Sequence, residues 1–294
     1  MFFMRLRNHA KWVFVFLAMV FVFSFVLAGV GSGSTGIGDL LSGNLGSLFG
    51  GSSGPNLVKD AEKALKKAEK DGNKQAQATA LQKLGIALAA KGRNDEAITA
   101  YHRSFVLEPN DALARKQLAD VYGKEADLQQ ALLDPSKGGV INDVVASAPA
   151  SIGQPSFLTD PIAASMHSNA VDTASGIYKR YSAAKAHQIG ALRNAVAHAK
   201  GEDRRALLPA LIAAAGDLSG TGGVGLAYLF SRYVPESPQA AQAQADTVSW
   251  ANASLGAYRA FLRYHRNDQF TKQIKAQIAA LKSLTAAAQP ASSG

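Results

Sequence analysis

The longest apolar stretch of the chain is its first. Residues 12–30 carry no charged side chain, and Ser24 is the one clearly polar residue among them. A helix of this length spans about 30 Å, which matches the hydrocarbon core of a bilayer. Arg5, Arg7 and Lys11 precede the stretch, and cations at that end favour a cytoplasmic N-terminus. The pattern predicts a single-pass transmembrane helix in the cell membrane, with the body of the protein outside the cytoplasm.

A cleaved secretory signal is the alternative interpretation of this stretch. Residues 26–28, Val-Leu-Ala, place aliphatic and small side chains where a signal peptidase cuts. The apolar part of a signal is usually about 7–15 residues long, shorter than residues 12–30. An uncleaved anchor is therefore preferred. Either interpretation predicts an extracytoplasmic body of the bacterial cell-envelope type, secreted if the stretch is removed.

Residues 31–55 are dominated by glycine, serine and leucine. A chain of this composition behaves as a flexible linker with a reach of about 25–30 Å. Residues 31–36 fit the phosphate-binding pattern G-x-G-x-x-G, but that pattern has meaning only after a β-strand, and here it follows a predicted membrane helix. No nucleotide or other cofactor is therefore predicted.

Beyond the linker, apolar residues recur with helical spacing, beginning with a charged helix predicted over residues 57–70. Sustained alternation of apolar and polar residues, which would indicate strands, is not found after residue 30. The one short candidate is residues 140–145, beside Gly138 and Gly139. Alanine is the best helix former and fills little core volume, so its abundance favours closely packed helices. The predicted fold class is all-α.

Residues 78–111 show a specific order of large and small side chains. Gly85 and Ala97 stand where two helices would cross closely, and Gly92 stands where a tight turn needs a positive φ. This order resembles the tetratricopeptide repeat, a helix–turn–helix unit of about 34 residues. The residues that carry the resemblance, including two in the following helix, are Leu81, Leu84, Gly85, Leu88, Gly92, Ala97, Tyr101, Pro109, Leu118 and Tyr122.

The resemblance implies an α-solenoid of helical hairpins whose concave groove takes a protein or peptide partner. In that groove it implies Gln82 and Ile86, with Lys116 or Gln117 on the next helix. Some members of the family clamp a partner's C-terminal carboxylate with paired Lys and Asn residues, and Gln82 and Ile86 are the wrong types for that clamp. The function expected from the resemblance is a membrane-tethered, non-catalytic scaffold for protein–protein interaction.

The repeat domain is predicted over residues 56–134, and a second helical region with degenerate repeats over 159–285. The second repeat is truncated, because Pro135 occupies the place of a bulky aromatic residue. An irregular connector at 135–158 separates the two regions, and residues 286–294 form a disordered tail of low complexity.

Proline and glycine divide the second region into predicted elements. The final elements resemble the second helix of a degenerate repeat followed by a capping helix. The predicted order is a helix from Pro161 to about Lys200 with a break near Ser175-Gly176, a helix over Asp203–Asp217, a turn at Gly220–Gly223, an aromatic helix over Val224–Val234 and a repeat-like pair beginning near Ala257.

Charge and composition narrow the function further. The formal net charge is +9, of which residues 12–294 carry +6, a mild excess expected to be spread along the helices. Nucleic-acid binding would need a basic stripe with interleaved aromatic residues, and none is predicted.

Cysteine is absent, which excludes disulfides and thiolate metal sites. The six histidines show no metal-binding spacing, so no metal is predicted.

Two alternative functions stay open at this stage. Ser182 and Lys185 fit the S-x-x-K element of penicillin-recognising serine enzymes, although the companion S-D-N and K-T-G elements are missing. A cell-wall enzyme of this type is the first alternative. The second is a spacer that binds anionic wall polymers through the positive charge of the body.

Overall fold

The computed structural model describes residues 56–147, 161–233, 238–264 and 269–287, and within them it is entirely helical, without β-strands. The predicted all-α class is thereby confirmed. The predicted membrane helix with Arg5, Arg7 and Lys11 and the predicted linker at 31–55 lie outside the described residues. Of the predicted disordered tail at 286–294, residues 286 and 287 instead end the last helix, and the others lie outside the described residues. The helices are α1 (Leu57–Lys70), α2 (Lys74–Ala90), α3 (Asn94–Leu107), α4 (Ala112–Leu133), α5 (Ile141–Ser147), α6 (Pro161–His198), α7 (Gly201–Asp217), α8 (Gly225–Tyr233), α9 (Pro238–Tyr264) and α10 (Gln269–Ala287).

Short polar turns join the first three helices. Gly72 and Gly92 take positive φ angles of 67° and 74°, a conformation that glycine adopts without steric cost. The Asn73 side chain then caps α2 by accepting a hydrogen bond from the Ala76 N–H at 3.0 Å. These turns reverse the chain within three residues, so α1, α2 and α3 pack as successive hairpins.

Helix α4 corrects the prediction of a truncated second repeat. Asp111 starts the helix by accepting the Ala114 N–H at 2.9 Å, and α4 then runs without interruption to Leu133. Ala131, which a 34-residue period would place on a second helix, lies on the same helix as Leu118. The sequence between them holds no glycine–polar turn like the one at Gly92. The one glycine there, Gly123, is buried within the helix.

The predicted irregular connector is partly helical. A 3-10 turn covers Pro135–Lys137, and Gly138 closes it with a φ of 75°. Residues 140–145, the one strand candidate, mostly fall in helix α5. The side chain of Val144 is fully buried in a cluster with residues of α6 and α8, so tertiary packing decides the conformation of this short apolar segment.

Helix α6 continues through Ser175 and Gly176, where a break was predicted. An added Cβ at Gly176 would meet the end of the Arg180 side chain at 3.6 Å, an ordinary contact. The glycine therefore has room in a regular helix.

The predicted turn at Gly220–Gly223 is a π-helical segment, Leu218–Val224, which joins α7 to α8 without a break. The resulting helical run, Gly201–Phe230, is the one described stretch long and apolar enough to cross a membrane. More than half of its apolar window, 56%, is buried inside the protein. A core helix of a globular body has the same length and composition.

The chain forms two compact units that alternate along the sequence. The described part of the first unit comprises residues 56–125 and 187–210. The described part of the second comprises residues 126–186 and the residues from 211 onward, apart from the undescribed stretches. The predicted regions followed chain order, whereas residues 187–210 join the helices that resemble the repeat.

Candidate functional site

The hairpin of α2 and α3 in the first unit is held by a glycine that faces an aromatic ring. A Cβ added at Gly85 would lie 2.8 Å from Cε2 of Tyr101, so no larger residue fits without displacing the ring. Tyr101 is 1% exposed and Ala97 is fully buried. The side chain that meets Gly85 is thus Tyr101, whereas the repeat pattern had paired Gly85 with Ala97 at the crossing.

The remaining residues that carry the resemblance lie on α2 and α4 and in the turns beside α3. Leu81 packs with Leu65 and Ala80 in a buried cluster, against which Leu84 and Leu107 also pack. Helix α3 ends at Leu107, two residues before the predicted stop at Pro109. Leu88 and Leu118 are buried, and Tyr122 is half-buried.

A polar bond ties α2 to the start of α4. Gln82 Nε2 donates to Asp111 Oδ2 at 2.7 Å, while the other carboxylate oxygen of Asp111 caps α4. Two predicted groove positions, Gln82 and Lys116, are therefore carried by helices that this contact brings together. Ile86, also predicted to line the groove, is only 5% exposed and belongs to the core. Its apolar side chain gains more from burial than an open groove position would provide.

An ion pair lies one turn further along α4. Lys116 Nζ and Asp120 Oδ2 are 2.6 Å apart, and each side chain is about a quarter exposed, at 26%. Burial raises the pKa of Asp120 above its usual range, and the Lys116 ammonium opposes that rise. Burial also lowers the pKa of Lys124, one turn beyond Asp120. Gln117, the alternative groove residue, has a buried Oε1 atom that accepts no hydrogen bond.

Sequence reasoning missed the partner of α4 within the first unit. The Tyr122 ring stacks on His187 of α6 with centroids 5.0 Å apart. A Cβ added at Gly123 would lie 2.6 Å from Nε2 of Gln188. Residues from late in the chain thus pack where a second hairpin helix was expected. A small residue, Gly123, beside Tyr122 was the one local sign of a close helix contact, and nothing local identified its partner.

The second unit contains a glycine-rich contact of a different kind. A Cβ at Gly222 would fall on Ser182 Oγ, one at Gly225 would lie 2.7 Å from the Tyr178 ring, and one at Gly223 would lie 3.3 Å from Thr247 Cγ2. The π-helical segment therefore presents bare backbone to α6 and to α9. A Cβ at Gly222 or Gly225 would force the facing side chain to move, whereas a Cβ at Gly223 would make a tight contact.

Hydroxyl groups pair with carbonyl oxygens around this segment. Thr247 Oγ1 lies 3.0 Å from the Gly223 oxygen, and Ser254 Oγ donates to the Ala215 oxygen at 2.8 Å. A π-helical segment displaces the regular carbonyl partners, and π-helical turns are often found at functional sites. Here the two hydroxyls link α9 to the π-helical segment and to α7.

The S-x-x-K pair lies beside the π-helical segment but lacks the geometry of a serine enzyme. Ser182 is fully buried, and its Oγ has no hydrogen-bond partner, so Lys185 does not contact it as a base. Lys185 Nζ instead lies 2.9 Å from Asp217 Oδ2, with Asp127 Oδ1 at 4.0 Å. Its ammonium is thus directed to carboxylates rather than to Ser182, and a fully buried Ser182 leaves no surface for a substrate. No observation in the structure favours the enzyme alternative.

Comparison with known proteins does not assign a function to these contacts. In the described ranges no group of three or more His, Asp or Glu residues is arranged to hold a metal ion. No known family model matches the chain, and no curated protein or solved structure shows significant similarity to it. The resemblance to the tetratricopeptide repeat therefore depends on the residues described above.

Proposed function

We propose that this protein is a membrane-tethered, extracytoplasmic scaffold that holds a protein or peptide partner with its repeat-like helices. The observation that carries the proposal is the close hairpin contact at Gly85, which receives the Tyr101 ring rather than the predicted Ala97. The bond from Gln82 to Asp111 supports it further, because the successive first helices of a repeat array must lie side by side to form a groove.

The chemistry of the groove indicates what it would bind. Gln82, the Lys116–Asp120 pair and Lys124 present donors, acceptors and both charges, while Leu113 offers an apolar side chain that is 59% exposed. A mixed surface of this kind suits an extended peptide, whose backbone needs hydrogen bonds and whose side chains need apolar contact. The clamp for a terminal carboxylate is missing, so an internal peptide segment is the proposed ligand class.

Site-specific photo-crosslinking in the full-length protein, in its own membranes, tests the groove. Thr79 lies one turn before Gln82 on α2, and Thr99 lies on α3; both are exposed, and both hydroxyls bond the carbonyl four residues earlier. They form a matched pair of probe positions. We expect a crosslinker at Thr79 or Leu113 to capture a discrete partner and one at Thr99 to capture none.

A charge reversal, Lys116→Glu, provides the second arm of this test. It should abolish the crosslink from Thr79 without changing the helical content measured by circular dichroism. Equal capture from Thr79 and Thr99, or capture that survives the reversal unchanged, would argue against the groove. The tether is tested separately, because a transmembrane anchor keeps the protein in the pellet after alkaline extraction and a cleaved signal does not.

A further inference from the structure

The positive charge of the chain is concentrated at its C-terminal end. Residues 247–287 hold six Arg or Lys residues and one acidic residue, Asp268, which gives a formal charge of +5. This is nearly the whole of the +6 carried by residues 12–294. Over the full span of α9 and α10, residues 238–287, Asp246 reduces the formal charge to +4, so two-thirds of the excess expected to be spread along the helices lies there.

Helices α9 and α10 pack together in the second unit and turn their cations to solvent. Arg259 and Arg263 are exposed one turn apart on α9. On α10 the exposed lysines fall within an arc of about 80°, at 100° per residue. The opposite faces carry the buried residues of the pair. Those lysines are Lys272, Lys275 and Lys282.

These five cations are not neutralised within the described residues. None of them takes part in an ion pair or a hydrogen bond there. Asp246, the one acidic residue described on α9, lies more than three turns before Arg259 and accepts a hydrogen bond from Gln242 at 2.9 Å. Between Lys275 and Lys282 the exposed residues of α10 are the small Ala276 and Ala279, Gln273 lies between Lys272 and Lys275, and the small, exposed Ser283 follows Lys282.

Cations without acidic partners, separated by small side chains, suit a flat anionic surface. Long lysine and arginine stems reach several ångströms beyond alanine and serine, so phosphate groups meet the charges before any bulky residue. Each Lys or Arg near an anionic bilayer strengthens adsorption by about fivefold. A deep or apolar cleft is not needed for this kind of binding.

We propose that the hairpin of α9 and α10 docks on the anionic phospholipid headgroups of the membrane to which the chain is tethered. The inference rests on the proposed membrane tether, because tethering raises the local concentration of the bilayer surface above that of any soluble polyanion. Docking fixes the second unit at the membrane surface through Arg259, Arg263, Lys272, Lys275 and Lys282.

The cysteine-free chain allows a direct measurement with full-length protein. Ser283→Cys carries a fluorophore beside Lys282, and the protein is reconstituted into vesicles whose lipid headgroups carry a quencher. We expect strong quenching with phosphatidylglycerol in the bilayer, weak quenching with phosphatidylcholine alone, and loss of quenching in about 1 M salt, where screening acts within about 3 Å.

Two variants of equal charge separate a local surface from a general effect. Replacing the five hairpin cations with glutamine should lower the docking equilibrium at least about tenfold. Replacing five exposed lysines of α1 removes the same charge from the first unit and should leave quenching unchanged. Those control positions are Lys59, Lys63, Lys66, Lys67 and Lys70.

The outcomes are distinguishable from failure of the tether. Protein that separates from the vesicles on flotation contradicts the tether, whereas protein that floats without quenching in anionic vesicles contradicts docking. An equal loss of quenching in the α1 control would also overturn the proposal. Binding of inorganic polyphosphate without any approach of the label to lipid would assign the hairpin to a soluble polyanion instead.

Discussion

Glycine permits close helix contact in both units, but by different local structures. In the first unit Gly85 lies in a regular α-helix and receives the ring of Tyr101. In the second unit Gly222 and Gly225 lie in and just after a π-helical segment and receive Ser182 and Tyr178. An isolated glycine among strong helix formers keeps the helix regular. A cluster of four glycines within six residues does not, and the neighbouring helices then determine its geometry.

The two contacts also differ in polarity. Gly85 receives an aromatic ring, and burial, together with the Asp120 carboxylate, raises the pKa of Tyr101. The π-helical segment is bordered by hydroxyls and by the buried Lys185, held by Asp217. We therefore expect the free energy of unfolding to depend on side-chain volume at the Gly85 contact of the first unit. In the second unit we expect it to depend on the pairing of buried polar groups.

The largest expected effect is on the polar contact. Asp217→Ala leaves the Lys185 ammonium, whose side chain is 7% exposed, with only Asp127 at 4.0 Å. Removing one partner of a buried pair costs about 3–5 kcal/mol, and the urea-unfolding midpoint should fall accordingly. Adding Lys185→Met should restore most of the loss, because no buried charge then lacks a partner. A double variant no more stable than the single one would contradict this account.

Volume should dominate at the apolar contact. Gly85→Ala places a Cβ 2.8 Å from the Tyr101 ring, and overpacking costs about 1–3 kcal/mol. Gly190→Ala is the matched control, since its Cβ would meet nothing within 4 Å and helix propensity alone should add about 1 kcal/mol. The two variants should shift the thermal midpoint in opposite directions. A shift in the same direction would show that the Gly85 crossing tolerates a methyl group.

The pH dependence of stability at Asp120, beside the proposed groove, is a smaller effect. Burial raises the pKa of Asp120 in the folded state above its unfolded value. The folded protein therefore binds this proton more tightly, and the contribution of Asp120 to stability falls as pH rises from the unfolded pKa through the raised one. Asp120→Asn should remove that slope, measured as urea midpoints from about pH 4 to 7. An unchanged slope would mean that the Lys116 pairing outweighs burial.

The smallest effect is expected at Ser182. Its buried Oγ has no partner, so Ser182→Ala should leave stability unchanged or raise it by up to about 1 kcal/mol. A fluorescent β-lactam should label neither the natural protein nor the variant. Labelling that disappears with Ser182→Ala would revive the serine-enzyme alternative.

Much of the first unit could be predicted from sequence because its contacts are local. The spacing of Gly85, Gly92 and Tyr101 concerns helices that are adjacent in the chain, where the turn length fixes which faces meet. Ile86 was misplaced because a groove position and a core position share one helix face, and only the neighbouring helices decide between them. The lack of a turn residue within α4 was the one local indication that this helix runs without interruption.

Helix class, most helix positions and the small residue at position 85 followed from the sequence by itself, because propensity, capping and short turns act within a few residues, whereas the side chain that meets Gly85 did not. Tertiary structure alone decided that Gly220–Gly223 continues a helix, that His187 and Gln188 complete the first unit, and that Lys185 pairs with Asp217. These features depend on residues about 30 to 65 positions apart, whose meeting is set by packing of whole helices rather than by any local pattern.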